Sequence, residues 1–99
     1  MATTTVLYPK GTKFNMDYYM KSHMPLVGKK LGPHGLTSWK VLEFPSEAPF
    51  CVQATLEWDS QKSFEAAGAS PEMKEVLDDV SNFSDNSPTM LPGAIKGTS

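Results

Sequence analysis

A proline set inside a helix-forming run does most to restrict what this chain can fold into. Residues 14–27 read Phe-Asn-Met-Asp-Tyr-Tyr-Met-Lys-Ser-His-Met-Pro-Leu-Val. Pro25 has no N–H to offer the carbonyl of Lys21, its ring crowds that carbonyl, and it pushes Met24 away from α dihedrals. The helix is therefore expected to kink or restart beside His23, leaving backbone acceptors free and opening the packing there. Its start is well marked. Asn15 is a good N-cap, Met16 is the first helical residue and Asp17 sits at the positive end of the dipole. Phe14 and Tyr19 are placed for a hydrophobic staple. Tyr19 and His23 are four apart and share one helix face, which pairs an aromatic hydroxyl with a proton carrier. Leu26, Val27 and Leu31 extend a second helical piece until Gly32-Pro33 and Gly35 end it.

The rest of the chain alternates strand and helix signals. Thr4 to Tyr8 is β-branched and aromatic and stops at the turn cluster Pro9-Lys10-Gly11. Leu36 to Phe44 and Phe50 to Trp58 flank a turn-rich connection and predict a hairpin. In the second of these, Phe50, Val52, Ala54, Leu56 and Trp58 share an oily face and Cys51, Gln53, Thr55 and Glu57 a mixed one. The pattern leaves open which face meets the helices. Asp59 or Ser60 can cap a helix through Phe64, Ala66 and Ala67. After Gly68, Ser70-Pro71 can start a second piece carrying Met73, Val76, Leu77 and Val80. Pro88, Pro92 and Gly93 confine any strand beyond Asn82 to a sheet edge. Strand, helix, strand, strand, helix, strand is the order of a ferredoxin-like α+β fold, a four-stranded antiparallel sheet with both helices on one face.

Composition removes several function classes. The 99 residues suit a single domain, residues 1–99, and the net charge of −2 comes with no basic run, so binding to nucleic acid or an acidic membrane is not expected. A single cysteine, Cys51, excludes an internal disulfide, and two histidines supply no metal-ligand spacing. Neither a basic segment followed by an apolar run nor a stretch of membrane-spanning length occurs, so the expected location is cytoplasmic.

The Phe14–Val27 stretch also resembles the signature of the EthD family in the dimeric α+β barrel superfamily, where Phe-Asp-Met-Asp-Tyr-Tyr precedes His-Met-Pro-Leu-Val. Thr5-Val6-Leu7-Tyr8-Pro9, Gly32-Pro33, Leu56-Glu57-Trp58-Asp59-Ser60 and Asn82-Phe83-Ser84-Asp85 extend the likeness over nearly the whole chain. The resemblance implies a homodimer in which two sheets meet face to face. That would help a chain of this size, which alone buries roughly 60 to 68% of its unfolded surface. The family usually continues past the position of Pro88 with a more apolar run, and Thr89-Met90-Leu91-Pro92-Gly93-Ala94-Ile95 departs from it.

His23 is the leading catalytic candidate, because an imidazole gives and takes protons near neutral pH. The opposing reading is a histidine that merely bonds a carbonyl or solvent. Tyr19 can donate to a substrate oxygen. Asp85 can orient a histidine and Asn86 can bind a substrate hydroxyl, although Asn, Ser and Asp together also make self-bonded turns. Trp39, Trp58, Phe64, Phe83 and Tyr18 could line an aromatic pocket or be plain core. Met16, Met20 and Met24 form a stripe suited to core or dimer packing, and His34 reads as a solvated loop residue. No nucleophile triad or phosphate loop is present.

Two function classes remain. One is a cofactor-independent enzyme that moves protons on a small hydrophobic aromatic or polyketide-like ligand, as a cyclase, dehydratase, decarboxylase or isomerase. The family resemblance adds cofactor-free monooxygenation of electron-rich aromatics. The other is a non-catalytic dimeric protein that binds a metabolite or assists an oxygenase.

Overall fold

The computed structural model describes residues 2–99, and its elements follow the expected order. Strand β1 (Ala2–Pro9) leads into a long helix built of α1 (Met16–Tyr18), a π-helical turn (Tyr19–His23) and α2 (Met24–Leu31). After a 3₁₀ turn at Gly32–His34 come the hairpin strands β2 (Leu36–Glu43) and β3 (Phe50–Trp58). Helices α3 (Gln61–Gly68) and α4 (Pro71–Asp78), a 3₁₀ turn (Val80–Asn82) and β4 (Thr89–Ala94) complete the chain. The four strands make one antiparallel sheet in the order β2-β3-β1-β4, the ferredoxin-like arrangement.

The capping signals act as read. Asn15 Oδ1 accepts the N–H of Tyr18 at 3.0 Å, Ser60 Oγ that of Ser63 at 3.1 Å, and Ser70 Oγ that of Met73 at 3.2 Å. Phe14 and Tyr19 close the staple with ring centroids 4.8 Å apart.

The restart expected beside His23 takes the form of a π turn, and Met24 is not pushed out of the helix. Met24 keeps helical dihedrals, φ −66° and ψ −37°, and its N–H reaches back five residues to the carbonyl of Tyr19. One widened turn absorbs the mismatch, and the helix beyond it starts afresh with Pro25 in its first turn, where a missing N–H costs nothing. The same widening shears the methionine stripe: Met24 is buried while Met20 is exposed.

Register settles which sheet face meets the helices. Ala2, Thr4, Val6 and Tyr8 of β1 and Val52, Ala54, Leu56 and Trp58 of β3 are buried beneath them, with Val6 opposite Ala54 and Thr4 opposite Leu56. Trp58 anchors one end of this core, with no exposed surface and its indole N–H donated to Thr4 Oγ1 at 3.1 Å. Burying a side chain of that size is worth roughly 4 to 6 kcal/mol of transfer free energy at most. Tyr8, Phe14, Tyr19 and Phe83 pack edge to face or tilted at the other end. The opposite sheet face, with Thr3, Thr5, Leu7, Gln53 and Thr55, is only half-covered. Strand β4 lies at an edge, where Pro92, opposite Thr4, loses no ladder bond on its outer side.

Candidate functional site

His23 closes the π turn and points its ring under the helices rather than outward; it is 5% exposed. Tyr19 stacks on one side of the ring at 5.2 Å and 16°, and Phe83 presses from another at 4.4 Å. The imidazole Nδ1 lies 2.9 Å from Asp79 Oδ2, just past the end of α4. The second oxygen of Asp79 accepts the Tyr18 hydroxyl at 2.6 Å and the Asn82 amide at 2.8 Å.

This network fixes the tautomer. Burial alone would raise the Asp79 carboxyl, but the bonds from Tyr18, Asn82 and His23 outweigh it and hold the group below its usual range. An ionised carboxylate only accepts, so Nδ1 carries the proton and Nε2 carries the lone pair. Burial lowers the proton affinity of His23 by more than the bond to Asp79 and its charge raise it. The ring is therefore a neutral base at pH 7. Nε2 has no hydrogen-bond partner among the described residues and is not sealed off.

His23 lines a cavity between the sheet and the helices. Val6, Ala54 and Leu56 form the floor, Val27, Leu31 and Val76 the walls, and Tyr8 and Tyr19 bring phenol groups to the same space. The volume open to the centre of a water molecule is about 40 Å³, room for about three waters at 10 to 15 Å³ each. Leu77 and Met90 are the cavity's most exposed lining residues, at 45% and 36%, and mark the side on which it reaches solvent. Among the described residues no group of three or more His, Cys, Asp or Glu is placed to hold a metal ion.

The residues singled out from sequence fall in different places. His23 and Tyr19 meet at the cavity. Phe83 packs against both as buried core and does not line it. Asp85 accepts the N–H of Lys13 at 2.9 Å, and the Asn86 amide donates to Thr12 Oγ1 at 3.0 Å, so both clip the β1–α1 loop in a self-bonded turn. Trp58 and Phe64 pack on each other, centroids 5.6 Å apart, away from the cavity. Trp39 lies over Gly28 at the sheet edge, half exposed. His34 is more than a solvated loop residue: its Nε2 meets Glu72 Oε1 at 2.9 Å and ties the Gly32–His34 turn to α4. Sequence reasoning missed Asp79. Its signal was an acid continuing the buried i, i+3 row of Met73 and Val76.

The fold and this site define a ferredoxin-like α+β protein in which a buried histidine, paired with a part-buried aspartate, lines an apolar cavity. The EthD domain family matches residues 12–87, and the chain belongs to that family. Among solved structures it is similar to an EthD-like protein from Ralstonia eutropha JMP134, at 28% identity over 97% of this chain and 92% of that one, TM-score 0.81. It is also similar to an EthD family protein from Bacillus halodurans C-125, at 22% identity over 96% and 98%, TM-score 0.75. SnoaB, a cofactor-independent oxygenase from Streptomyces nogalater, shares the fold at 11% identity over 98% and 94%, TM-score 0.73. No curated protein matches the sequence. No helix among the described residues is long and apolar enough to cross a membrane.

Proposed function

We propose that this protein is a cofactor-independent enzyme that shifts protons on a hydrophobic aromatic or polyketide-like metabolite, with His23 as the base. The observation that supports it is the His23–Asp79 pair, in which His23 lines an apolar cavity and its Nε2 has no partner among the described residues. Nε2 takes a proton from a carbon beside a carbonyl, and the C–H electron pair moves into an enolate whose charge rests on oxygen. Tyr19 donates a hydrogen bond to that oxygen. The imidazolium, held by Asp79, returns the proton elsewhere on the substrate or to a leaving group. Asp79 orients the ring, a role the sequence suggested for Asp85. Positioned proton transfer of this kind supplies about 10² to 10⁴-fold in rate, and whether the enolate isomerises, cyclises or expels water or carbon dioxide depends on the substrate.

The oxygenase name of the Streptomyces neighbour supports a second reading, in which the same carbanion reacts with dioxygen. The half-covered sheet face, bearing Leu7 and Leu42, suits a homodimer. Sedimentation at micromolar concentration tests this, and a compact monomer contradicts it.

Turnover of a panel of aromatic ketones and phenols, with and without oxygen, tests the enzyme reading. His23→Ala is expected to lower turnover about 10²-fold or more while ligand affinity persists. Unchanged turnover removes His23 from the mechanism, and binding without turnover of any candidate favours the accessory reading. Loss of activity under nitrogen selects the oxygenase.

A further inference from the structure

We propose that Tyr8 is a second ligand-binding residue of this site, joining Tyr19 to hold one ligand oxygen, and that the ligand is an uncharged ring compound bearing a ketone or phenol. The inference rests on the reading that His23 and Tyr19 face the substrate. Tyr8 stands near the end of β1 on the helix-facing side, 2% exposed, its ring 6.1 Å from that of Tyr19 at 81°. Neither phenol hydroxyl makes a hydrogen bond among the described residues, and neither oxygen is sealed away. By contrast, the Tyr18 hydroxyl is taken up by Asp79 and the Trp58 indole N–H by Thr4. Two phenols almost wholly buried, without partners and lining one cavity, are donors kept open for something that enters it.

The charge of that ligand follows from the walls. Among the described residues no Lys, Arg, Asp or Glu lines the cavity, so a carboxylate or phosphate would shed its hydration with no counter-charge to replace it. Burial raises both phenols well above their ordinary range, with Tyr19 adding to the effect on Tyr8, so both remain neutral donors. Two donors beside one acceptor, His23 Nε2, match an oxygen that accepts twice and either carries a proton itself or sits next to an acidic C–H. A phenol meets this with one atom; an enolisable ketone meets it with two neighbouring ones.

Calorimetric titration of the full chain at pH 7.5 with 2-naphthol and with 2-naphthoate tests the proposal. Wild type is expected to bind 2-naphthol and to bind 2-naphthoate at least about tenfold more weakly. Tyr8→Phe keeps the ring against Phe14 and Phe83, and should weaken 2-naphthol about fivefold to tenfold, the worth of one hydrogen bond, with an unchanged melting temperature. Failure of wild type to bind 2-naphthol at millimolar concentration, equal affinity for the carboxylate, or Tyr8→Phe affinity within twofold of wild type would each overturn the proposal. His23→Ala turnover reads the proton-transfer mechanism separately, so weakened 2-naphthol binding by Tyr8→Phe upholds the inference even if that mechanism fails.

Discussion

Asp79→Asn changes almost no volume yet is expected to disable the base, and the size of the effect follows from which oxygen serves which partner. Oδ1 of Asp79 takes bonds from Tyr18 and Asn82, while Oδ2 faces His23. An asparagine there will turn its carbonyl toward the two donors, because the reverse orientation sets its NH₂ against the Asn82 amide and forfeits that bond, about 1 kcal/mol. Its NH₂ then faces Nδ1, which must accept, so the proton moves to Nε2 and blocks the lone pair. The imidazolium also loses a charged acceptor, about 1.5 to 3 kcal/mol. Together, about 2.5 to 4 kcal/mol corresponds to a fall in kcat/KM of roughly 10²- to 10³-fold. Two measurements check this: ¹⁵N NMR of the imidazole, expected to switch from Nδ1–H to Nε2–H, and the rate of proton exchange beside the carbonyl of a bound aromatic ketone. Asp78→Asn is the control, its exposed side chain pairing with Lys74 on the surface. An Asp79→Asn protein that keeps Nδ1–H, or stays within about threefold of wild-type rate, refutes the reasoning.

Stability should also depend on pH through His23. Its proton affinity is lowered on folding, so below its unfolded pKa of about 6.5 the unfolded chain binds more protons. The contribution is complete above that pH and is lost as pH falls toward the folded value, and the depressed Asp79 acts in the same direction at lower pH. Thermal melts from pH 8 to 5 should show the decline, and His23→Gln should flatten its upper part. Trp58→Ala should cost about 3 to 5 kcal/mol in urea titration, because the indole is core and its loss leaves the Thr4 hydroxyl unpaired; a full-stability variant with reduced ligand affinity would instead make Trp58 a ligand contact. Gly35→Ala should cost at least about 2 kcal/mol, since φ is +102° and the new Cβ would sit 2.6 Å from Ser63; a melt unchanged within error contradicts that.

Local rules carried the fold because each element boundary has its own residue. Asn15, Ser60 and Ser70-Pro71 start helices, Gly35 turns the chain with a positive φ, and Pro92 keeps β4 at an edge. The proline rule located the restart beside His23 but misplaced Met24, because it leaves out a widened turn that shifts the register while every residue keeps helical dihedrals. The site was legible only in its local half. Tyr19 and His23 are four residues apart and visible as a pair, whereas Asp79 lies 56 residues from His23. Asp85 stood in a more conspicuous polar run, and only packing shows that it serves the Lys13 backbone. Tyr8 looked like an ordinary strand residue, because a lone phenol declares itself only when the neighbours that fail to bond it are known.

The central claim, that His23 Nε2 is a working base inside the cavity, is tested most directly by deuterium uptake. 2-Tetralone incubated with wild type in D₂O should gain deuterium beside its carbonyl faster than with His23→Gln by about 10²-fold or more. Equal uptake with the two proteins, both folded and both binding the ketone, would contradict it.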